Sequence, residues 1–499
     1  MEQNNLEPFK INEYTVVPDL RISAKLYKLA ELRPEEPSYT NRFEWDDRGF
    51  SELFTSLYGD EIAYCEEWKS WVIYDVNDSV WKTDFGAISA FGRALEFTRV
   101  LDLYVTTIKD EELREKYQKS IARYHDVRGI DRIVKGAKEF VKISATSFDA
   151  NPYLINCKNG TYDLRDFTFK KADPADYITK QTNFSYTVRK DSRCERWEQF
   201  IKDVTENDDE KARYLQKALG YSMLGTAKEE CLFILHGKTT RNGKSTLLNT
   251  IETMMGGYGT VAPVELLMKS RYGKQAETAS PVLATLKGTR FVTMAESSQT
   301  GGLDEEVVKQ FTGGEEISAR ALYEKPVTFV PQFTLWLSCN DLPYVSDQSL
   351  FYSKRLRVIE FNRHFSQAEQ DKNLKTIFMS EKARKGIFAW LIEGYKMYLK
   401  EGLIEPESIE KPMRLYNEDN DTVAQFLNDK MQKDVNQNGL MIQEIYRLYK
   451  PWCKSRGLHC IGMIPLANEL ERHPEWFVQV VRAKNGVKTF VGLVQKGVV

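Results

Sequence analysis

The sequence lacks the features that are typical of zinc-stabilised, disulfide-stabilised and membrane-embedded proteins. Its seven cysteines are widely separated and form no CxxC pair; they occupy positions 65, 157, 194, 231, 339, 453 and 460. This spacing supports neither a zinc ribbon nor a disulfide framework, and it favours reduced thiols in a cytosol. No apolar run approaches the length of a membrane span, and the N-terminus does not resemble a signal peptide. We therefore expect a soluble protein without a membrane partner.

The sequence also lacks an excess of charge of either sign. Its 70 Lys and Arg residues nearly balance its 72 Asp and Glu residues, which gives a net charge of −2. A chain that is not basic throughout can contact nucleic acid only through local patches. The length of 499 residues, with 42% hydrophobic and 28% charged residues, is typical of a globular protein of about three domains.

Apolar periodicity and turn residues indicate the secondary structure of the N-terminal part. Residues 60–84 and 151–177 are predicted to form short strands and hairpins, the second segment with turns at Asn159-Gly160 and Asp173-Pro174. Three tryptophans of the first segment are expected on a sheet or in a core: Trp68, Trp71 and Trp81. The N-terminal part is therefore predicted to mix helices and strands.

The rest of the chain alternates between strand and helix patterns. A helical stretch from about residue 197 precedes alternating strands and helices up to about 362, which predicts a mainly parallel sheet between helices. An amphipathic helix over 381–402 is predicted to end at Gly402. The polar segment 407–422 is predicted to be a linker before a last small domain.

The segment 232–251, LFILHGKTTRNGKSTLLNTI, has the order of a nucleotide phosphate loop. An apolar strand stops at a glycine, a polar loop follows, and a helix-like apolar stripe begins after the loop. Glycines let backbone N–H groups converge on phosphates, a lysine reaches the β and γ phosphates, and Ser or Thr holds Mg²⁺. We predict an ATP site formed by Gly237, Asn242, Gly243, Lys244, Ser245 and Thr246, with Ser245 on the metal.

The spacing of this loop departs from the usual pattern by one residue. That pattern has four residues between its first glycine and the Gly-Lys pair, whereas five separate Gly237 from Gly243. Either the loop is one residue longer, or Lys238 takes the place of the first glycine. A strand–turn–helix that binds no ligand is the alternative, and the order of strand, loop and helix disfavours it.

Three further polar residues follow apolar strands in an order that suits ATP hydrolysis. Glu296, in TRFVTMAESSQ, would polarise the attacking water and help hold Mg²⁺, although Ala295 stands where a second acid is usual. Asn340, in FTLWLSCNDLP, would orient that water and sense the γ-phosphate. Arg355 follows, and an exposed arginine there would reach a neighbouring subunit's ATP as a finger. A single Asn or Arg is more often a surface or capping residue. The prediction therefore rests on the order in which the phosphate loop and these three residues follow one another along the chain.

Residues 436–499 have a local positive balance, with nine Lys or Arg against four Asp or Glu. Two helical segments, 439–457 and 463–473, precede a hairpin over 476–494 that turns at Asn485-Gly486. This order predicts a winged helix whose DNA phosphate contacts come from Lys454, Arg456, Arg482, Lys484 and Lys488. A winged helix that docks a protein and has solvated lysines is the alternative.

These motifs resemble the phage, plasmid and poxvirus primase–helicases of helicase superfamily three. The resemblance runs over about residues 60–420 and rests on RNGKST, AESSQ, VVKQFTGGEEISARALYEKPVTFVPQFTLWLSCNDLP and KRLRVIEF. WKSWVIYDVNDSVWKTD and FDANPYLINCKNGTYDL resemble the domain that precedes the helicase in that family. Members with the longer TTRN loop occur, and the missing second acid is typical of the family.

The resemblance implies an AAA+-like core that assembles as a ring, usually a hexamer, with ATP between subunits and one DNA strand in the channel. Residues 319–331, ARALYEKPVTFVP, look like a β-hairpin whose tip near Lys325 contacts phosphates in that channel. A solvated hairpin lysine is the alternative. Arg320 would touch ATP in trans or brace the hairpin. Longer relatives carry a primase domain, but no matching paired-aspartate strand with a partner histidine occurs here, so a separate protein is expected to prime.

The sequence as a whole predicts an α/β AAA+-like P-loop ATPase core with an α+β N-terminal domain and a small C-terminal winged-helix domain. The expected boundaries are 1–195 for the N-terminal domain, 196–365 for the ATPase core, 366–422 for a helical segment and linker, and 423–499 for the winged helix.

The expected function is that of an ATP- and Mg²⁺-dependent replicative DNA helicase of a phage, plasmid or mobile element. It would form a homo-hexamer in the cytoplasm of a bacterial host and unwind duplex DNA at a replication origin, with a single strand in its channel and a separate primase or initiator as partner. One alternative is a helicase–primase with cryptic priming activity. Another is an origin-binding or loading protein that uses ATP as an assembly switch.

Overall fold

The structure is a computed structural model that describes residues 7–13, 15–37, 43–187, 193–269, 281–295, 302–319, 327–458, 460–483 and 486–497. Among the helices in these ranges, none has both the length and the apolar character that a membrane crossing requires. The same ranges contain no group of three or more His, Cys, Asp or Glu residues arranged to hold a metal ion.

In its described residues, the N-terminal part combines five α-helices with a small sheet. The helices are α1 (Leu20–Leu32), α2 (Asp47–Tyr58), α3 (Ile88–Val105), α4 (Glu111–Ile121) and α5 (Val127–Ala137). Four strands pair in the order β3-β2-β1-β4: β1 (Ile62–Cys65), β2 (Ser70–Asp75), β3 (Val80–Asp84) and β4 (Lys142–Ile143). N-terminal capping residues and apolar faces explain why these helices form. At α5, the N-cap Asp126 accepts a hydrogen bond from the Gly129 N–H, and the apolar residues Ile130 and Ile133 are buried. Trp71 and Trp81 are buried on the sheet, as predicted.

A second small sheet and three helices connect this part to the centre of the molecule. The strands β5 (Leu154–Cys157), β6 (Gly160–Asp163) and β7 (Thr168–Lys170) are antiparallel, and the helices are α6 (Glu195–Val204), α7 (Asp209–Tyr221) and α13 (Glu381–Glu401). Helix α13 ends before Gly402, as the sequence predicted. It packs very closely against α7, because a Cβ on Gly220 would lie 2.3 Å from the Tyr395 backbone nitrogen. Residues larger than glycine would force these helices apart.

Five parallel strands form the central sheet, in the order β14-β8-β13-β10-β9. They are β8 (Leu232–His236), β9 (Gly259–Val261), β10 (Phe291–Ala295), β13 (Thr334–Cys339) and β14 (Leu356–Glu360). The intervening helices are α8 (Lys244–Met255), α9 (Pro281–Thr285), α10 (Glu305–Thr312), α11 (Ser349–Tyr352) and α12 (Leu374–Met379). The predicted parallel sheet is therefore confirmed. Because all five strands run the same way, the residues that follow β8 and β13 emerge at one edge.

An antiparallel pair of short strands precedes β13, where the sequence predicted a hairpin. β11 (Ile317–Ala319) pairs with β12 (Val327–Phe329), with Ile317 opposite Phe329 and Ala319 opposite Val327. The tip between these strands lies outside the described residues.

The predicted linker over 407–422 is wrong, because a helix, α14 (Glu407–Asn420), occupies most of it. The Tyr416 hydroxyl donates to the Pro343 carbonyl oxygen, and Asn420 Oδ1 accepts from the Val345 N–H at 2.8 Å. The helix buries only a narrow face, so its composition is mostly polar although its contacts are specific. Through these contacts, α14 holds the loop that follows β13.

The C-terminal part has its own hydrophobic core, which includes Phe426, Tyr449 and Trp452. Its helices are α15 (Thr422–Lys430), α16 (Ile442–Arg456) and α17 (Met463–Leu470). Two small sheets accompany them: β15 (Met431–Lys433) with β19 (Leu493–Gln495), and β16 (Leu440–Met441), β18 (Lys488–Val491) and β17 (Gln479–Arg482) in that spatial order. The predicted succession of two helices and a hairpin is confirmed.

A candidate nucleotide site at the carboxyl edge of the parallel sheet

The loop between β8 and α8 depends on two glycines. Gly243 has φ +90°, and a Cβ there would lie 2.5 Å from Val204 Cγ1 on α6. A Cβ on Gly237 would lie 2.5 Å from the Phe361 carbonyl oxygen. The loop therefore packs between α6 and the residue after β14, and both positions require glycine.

The middle of this loop is held by hydrogen bonds to its own backbone and to the segment after β14. The buried Asn242 donates from Nδ2 to the Thr239 carbonyl oxygen at 2.6 Å. The Phe365 N–H donates to the Arg241 carbonyl oxygen at 3.0 Å. Lys238 is exposed, whereas Gly237 is buried against the sheet edge. Hydrogen bonds at Arg241 and Asn242 therefore hold this loop between β8 and α8.

The Lys244 ammonium joins this loop to the neighbouring strand β13. Nζ donates to the Gly237 carbonyl oxygen at 2.8 Å, to the Cys339 carbonyl oxygen at 2.9 Å and to Asn340 Oδ1 at 3.0 Å. Lys244 is only 5% exposed. In the parallel register, Cys339 lies opposite His236, so the residues that follow each strand meet. The structure therefore brings together the predicted lysine and the predicted asparagine.

Helix α8 begins at Lys244 with Gly243 as its N-cap, and no side chain caps it. The Leu247 N–H makes the first bond inside the helix, to the Gly243 carbonyl oxygen at 2.9 Å. The N–H groups of the three preceding residues point out of the helix end, where the helix dipole is positive. Ser245 is exposed and Thr246 is half-buried in this first turn. Such a helix end with a nearby ammonium suits an anion.

A buried histidine, which no sequence motif indicated, precedes the loop. His236 Nδ1 lies 3.9 Å from Glu360 Oε1, and the two residues face each other in the β8–β14 register. Burial is the largest cause that lowers the pKa of His236; Glu360 opposes the shift and Lys244 adds to it. Burial likewise lowers the pKa of Lys211 on α7. The sequence signal that could have indicated His236 is a polar residue at the end of an otherwise apolar strand.

Arg355 lies immediately before β14 and is held within its own chain. Its Nη2 is 2.6 Å from Glu230 Oε2, and its Nη1 donates to Thr312 Oγ1 at 2.8 Å. The side chain is 17% exposed, less than the sequence predicted, because the segment before β8 covers it. Arg357, two residues later, is buried and paired with Glu405 at 2.8 Å.

Two family models match separate parts of the chain, and viral proteins match longer stretches of it. A family model described as D5 N terminal like matches residues 51–206, and one described as a family of unknown function (DUF5906) matches residues 235–355. The candidate helicase L207/L206 of Acanthamoeba polyphaga mimivirus is 29% identical over 345 residues, which are 66% of this chain and 35% of that protein. The candidate helicase 121R of Invertebrate iridescent virus 3 is 27% identical over 299 residues, which are 54% of this chain and 31% of that protein.

The chain is thus similar to the phage and viral primase–helicase family, as the sequence motifs indicated. It spans about a third of the length of the curated relatives it matches. Both of these relatives carry a helicase name. Among solved structures, the apo structure of the NrS-1 C-terminal region is similar, with a TM-score of 0.48 and 11% identity over 90% of this chain and 100% of that chain.

Some residues that the sequence assigned to ATP or DNA contacts lie outside the described residues. They are Glu296, Arg320, Lys325 and Lys484. Glu296 directly follows Ala295, the last residue of β10, and Ala295 faces Ser338 of β13. The roles of the four residues stay predictions.

The basic residues assigned to DNA binding in the C-terminal part are partly neutralised by acids. Three ion pairs occur: Arg456–Asp429 at 3.1 Å, Arg482–Glu471 at 3.5 Å and Lys488–Glu471 at 2.9 Å. The Lys488 side chain is 15% exposed, whereas that of Arg482 is 66% exposed, and Lys454 is exposed on the last turns of α16. Of the assigned residues that the structure describes, Lys454, Arg456 and Arg482 therefore carry the more outward-facing positive charge.

Proposed function

We propose that this chain is the ATP-driven motor of a DNA helicase that replicates a virus, phage or other mobile element. The observation that carries the proposal is the position of Lys244. Its ammonium contacts both the phosphate loop after β8 and Asn340 at the tip of β13. A cation there reaches a phosphate held by the loop and a polar residue suited to sense it.

The loop has the groups that a nucleoside triphosphate requires. Three oxygen partners of Lys244 are uncharged carbonyl and amide groups, and negatively charged phosphate oxygens are stronger acceptors. The first-turn N–H groups of α8 add donors in the same place. The exposed Ser245 hydroxyl, together with Glu296, would hold Mg²⁺. The metal, when bound, neutralises charge that develops on the phosphates.

Two residues are assigned to the hydrolysis step. Glu296 polarises the attacking water. Asn340 orients the water and senses the γ-phosphate, and the orientation of its amide is set by Lys244, which donates to its Oδ1. The same cation therefore contacts the phosphates and positions the residue that detects them.

The strand order supports the AAA+-like core that the family resemblance implies. The first strand along the chain, β8, lies between the fifth, β14, and the fourth, β13. The second strand, β9, lies at the edge of the sheet opposite β14. We assign the 196–365 segment to this core and propose that it forms a ring, as a homo-hexamer, with ATP between subunits. Arg355 is assigned to the neighbouring subunit's ATP.

DNA contacts are assigned to two other regions. The hairpin formed by β11 and β12, with Lys325 near its tip, would contact a single strand in the ring's channel. The C-terminal part, 423–499, is assigned as a winged helix that binds origin duplex through Lys454, Arg456 and Arg482. The succession of α16, α17 and the β17–β18 hairpin supports this assignment.

The variant Lys244→Ala tests the proposal. We expect DNA-stimulated ATPase to fall by at least about 10²-fold, because the site loses the cation that stabilises the transferred phosphate. Strand displacement on a forked substrate should be lost with it. The matched control is Lys400→Ala, an exposed lysine on α13 that should leave both activities intact.

The same assays separate the alternatives. Undiminished ATPase in Lys244→Ala would place the ATP site elsewhere. ATPase without strand displacement by the unmodified chain would favour an origin-binding or loading protein. Template-directed dinucleotide synthesis would favour a helicase–primase.

A further inference from the structure

His236 lies at the carboxyl edge of the parallel sheet, directly before the phosphate loop. In the strand registers it pairs with Cys339 of β13 on one side and with Glu360 of β14 on the other. Its carbonyl oxygen accepts from the Phe361 N–H at 2.7 Å, and the residue is only 7% exposed. The proposed function assigns no role to this buried imidazole.

The Nδ1 atom of His236 is buried without a hydrogen-bond partner among the described residues, which is unfavourable for a polar atom. Glu360 Oε1 lies 3.9 Å from it, beyond hydrogen-bonding distance. Asn362 donates to Oε2 of the same carboxylate at 3.0 Å, which leaves Oε1 for His236, and the buried Lys211 on α7 also interacts electrostatically with this carboxylate. A proton on Nδ1 would turn that atom into a donor to Oε1, and an approach of about 1 Å would complete the hydrogen bond.

The surrounding charges decide whether His236 carries that proton. Burial is the largest cause that lowers the pKa of His236; Lys244 and Lys238 add to the shift, whereas Glu360 and the Asn340 backbone oppose it. A histidine whose pKa lies below its usual value is mainly neutral at neutral pH. The imidazole is therefore poised to gain a proton if the balance of nearby charge changes.

Phosphates at the loop would change this balance. Lys244 donates to the carbonyl oxygens of Gly237, the residue after His236, and of Cys339, its register partner, so the ammonium lies close to the imidazole. A phosphate bound by Lys244 would offset the charge of that ammonium and add negative charge of its own. Nearby negative charge favours the protonated form of a histidine.

We infer that His236 is a positioning residue of the proposed ATP site: when the ATP phosphates bind, its imidazole takes up a proton from solvent and bridges Glu360. The bridge holds the end of β14 against the end of β8, beneath the loop that binds the phosphates. Strand β14 begins directly after Arg355, so the bridge joins the phosphate loop to the strand that follows the proposed finger. The inference rests on the proposed function, because it requires phosphates beside Lys244.

The test measures the protons taken up when a non-hydrolysable ATP analogue binds to the full-length chain in excess Mg²⁺. Isothermal titration calorimetry in two buffers that differ in ionisation enthalpy gives this number at each pH between about 5 and 8. At its maximum, the unmodified chain should take up at least about 0.4 proton more per site than His236→Gln. Protons exchanged by the nucleotide itself cancel in this comparison.

The affinity for the analogue provides a second readout. Because the protonated form binds the phosphates more tightly, the affinity of the unmodified chain should rise as the pH falls through this range. Relative to His236→Gln, we expect the rise to be at least about fivefold. A histidine with a merely structural role would lower affinity or stability without changing this pH dependence.

Two further variants complete the test. Glu360→Gln retains the shape of the side chain but removes its charge, so it should reduce the proton uptake while the analogue still binds. His125→Gln is the matched control, because this exposed histidine pairs with Asp102 in the N-terminal part, and it should leave the proton uptake unchanged. Thermal melting of each variant verifies that the fold is retained, and Glu360→Gln decides the question if His236→Gln does not fold.

The outcomes are distinct. A proton uptake that His236→Gln and Glu360→Gln both reduce, and that His125→Gln does not, supports the inference. Equal uptake by His236→Gln and the unmodified chain overturns it and leaves the proposed function standing, because the analogue still binds. Full uptake in Glu360→Gln also overturns it, since the proton would then not bridge that carboxylate. If the unmodified chain does not bind the analogue, the proposed function and this inference are both overturned.

Discussion

The variant Arg355→Ala tests whether ATP is hydrolysed between subunits. Arg355 precedes β14, whose first residue, Leu356, pairs with Leu232 at the start of β8. The phosphate loop follows the other end of β8, after His236. Four residue steps of about 3.3 Å put roughly 13 Å between these ends. This separation exceeds the reach of one side chain, so a phosphate contact by Arg355 has to be made in a neighbouring subunit.

The possible roles of Arg355 differ greatly in the size of their effect. An arginine that stabilises transition-state charge contributes on the order of 10³-fold or more in rate, so Arg355→Ala should hydrolyse ATP poorly while binding it nearly normally. If Arg355 only stabilises the fold, the variant loses a hydrogen bond to Thr312 and an ion pair with the half-exposed Glu230. That loss would cost about 1–2 kcal/mol of folding stability and leave the ATPase rate unchanged.

The assay compares the ATPase rate at saturating ATP with the melting temperature. Glu230→Gln is the matched control, because it breaks the same ion pair and retains the guanidinium; we expect it to keep its ATPase. Mixing Arg355→Ala with Lys244→Ala protein should restore part of the activity, since some interfaces then pair an intact lysine with an intact arginine. Full ATPase in Arg355→Ala alone, or an equal loss in Glu230→Gln, would refute the reasoning.

Three further predictions concern the tip of β13, the phosphate loop and the C-terminal basic residues. Asn340→Ala should lower the ATPase turnover with little change in ATP affinity, because the residue that orients the water is lost; an equal loss of affinity in a nucleotide-binding assay would contradict this. Gly243→Ala should abolish nucleotide binding and lower the melting temperature, since its Cβ would clash with Val204; normal binding would show that the loop tolerates the clash. Lys454→Glu with Arg482→Glu should weaken duplex binding in a salt-dependent manner, whereas Lys488→Gln should change it less because that lysine is only 15% exposed and lies closer to Glu471 than Arg482 does. Equal effects would favour a protein-docking surface.

The sequence predicted the local structure wherever apolar periodicity and end signals agree. The order of β8, loop and α8 was predictable because an apolar run, glycines and a helical stripe follow one another within twenty residues. The end of α13 at Gly402 and the C-terminal hairpin were predictable for similar reasons. Helix α14 was missed, because its few buried residues, such as Ile409 and Tyr416, meet partners that are distant in the chain.

The residue types of the candidate site were determined by the sequence alone. Phosphate binding needs glycines, a lysine and a hydroxyl at a helix start, and these requirements are local. The position of Asn340 after an apolar strand was also readable from the chain, and the parallel pairing of β8 with β13 then placed it beside Lys244.

Tertiary structure alone decided which distant groups pair. Glu230, which covers Arg355, lies 125 residues away in the sequence, and Glu471 is shared by two basic residues assigned to DNA. His236 and Glu360 likewise lie on strands that are distant in the chain, and they face each other only because β8 pairs with β14. Burial and charge pairing depend on which surfaces meet in the fold, whereas periodicity and spacing report only the order of residues along one segment.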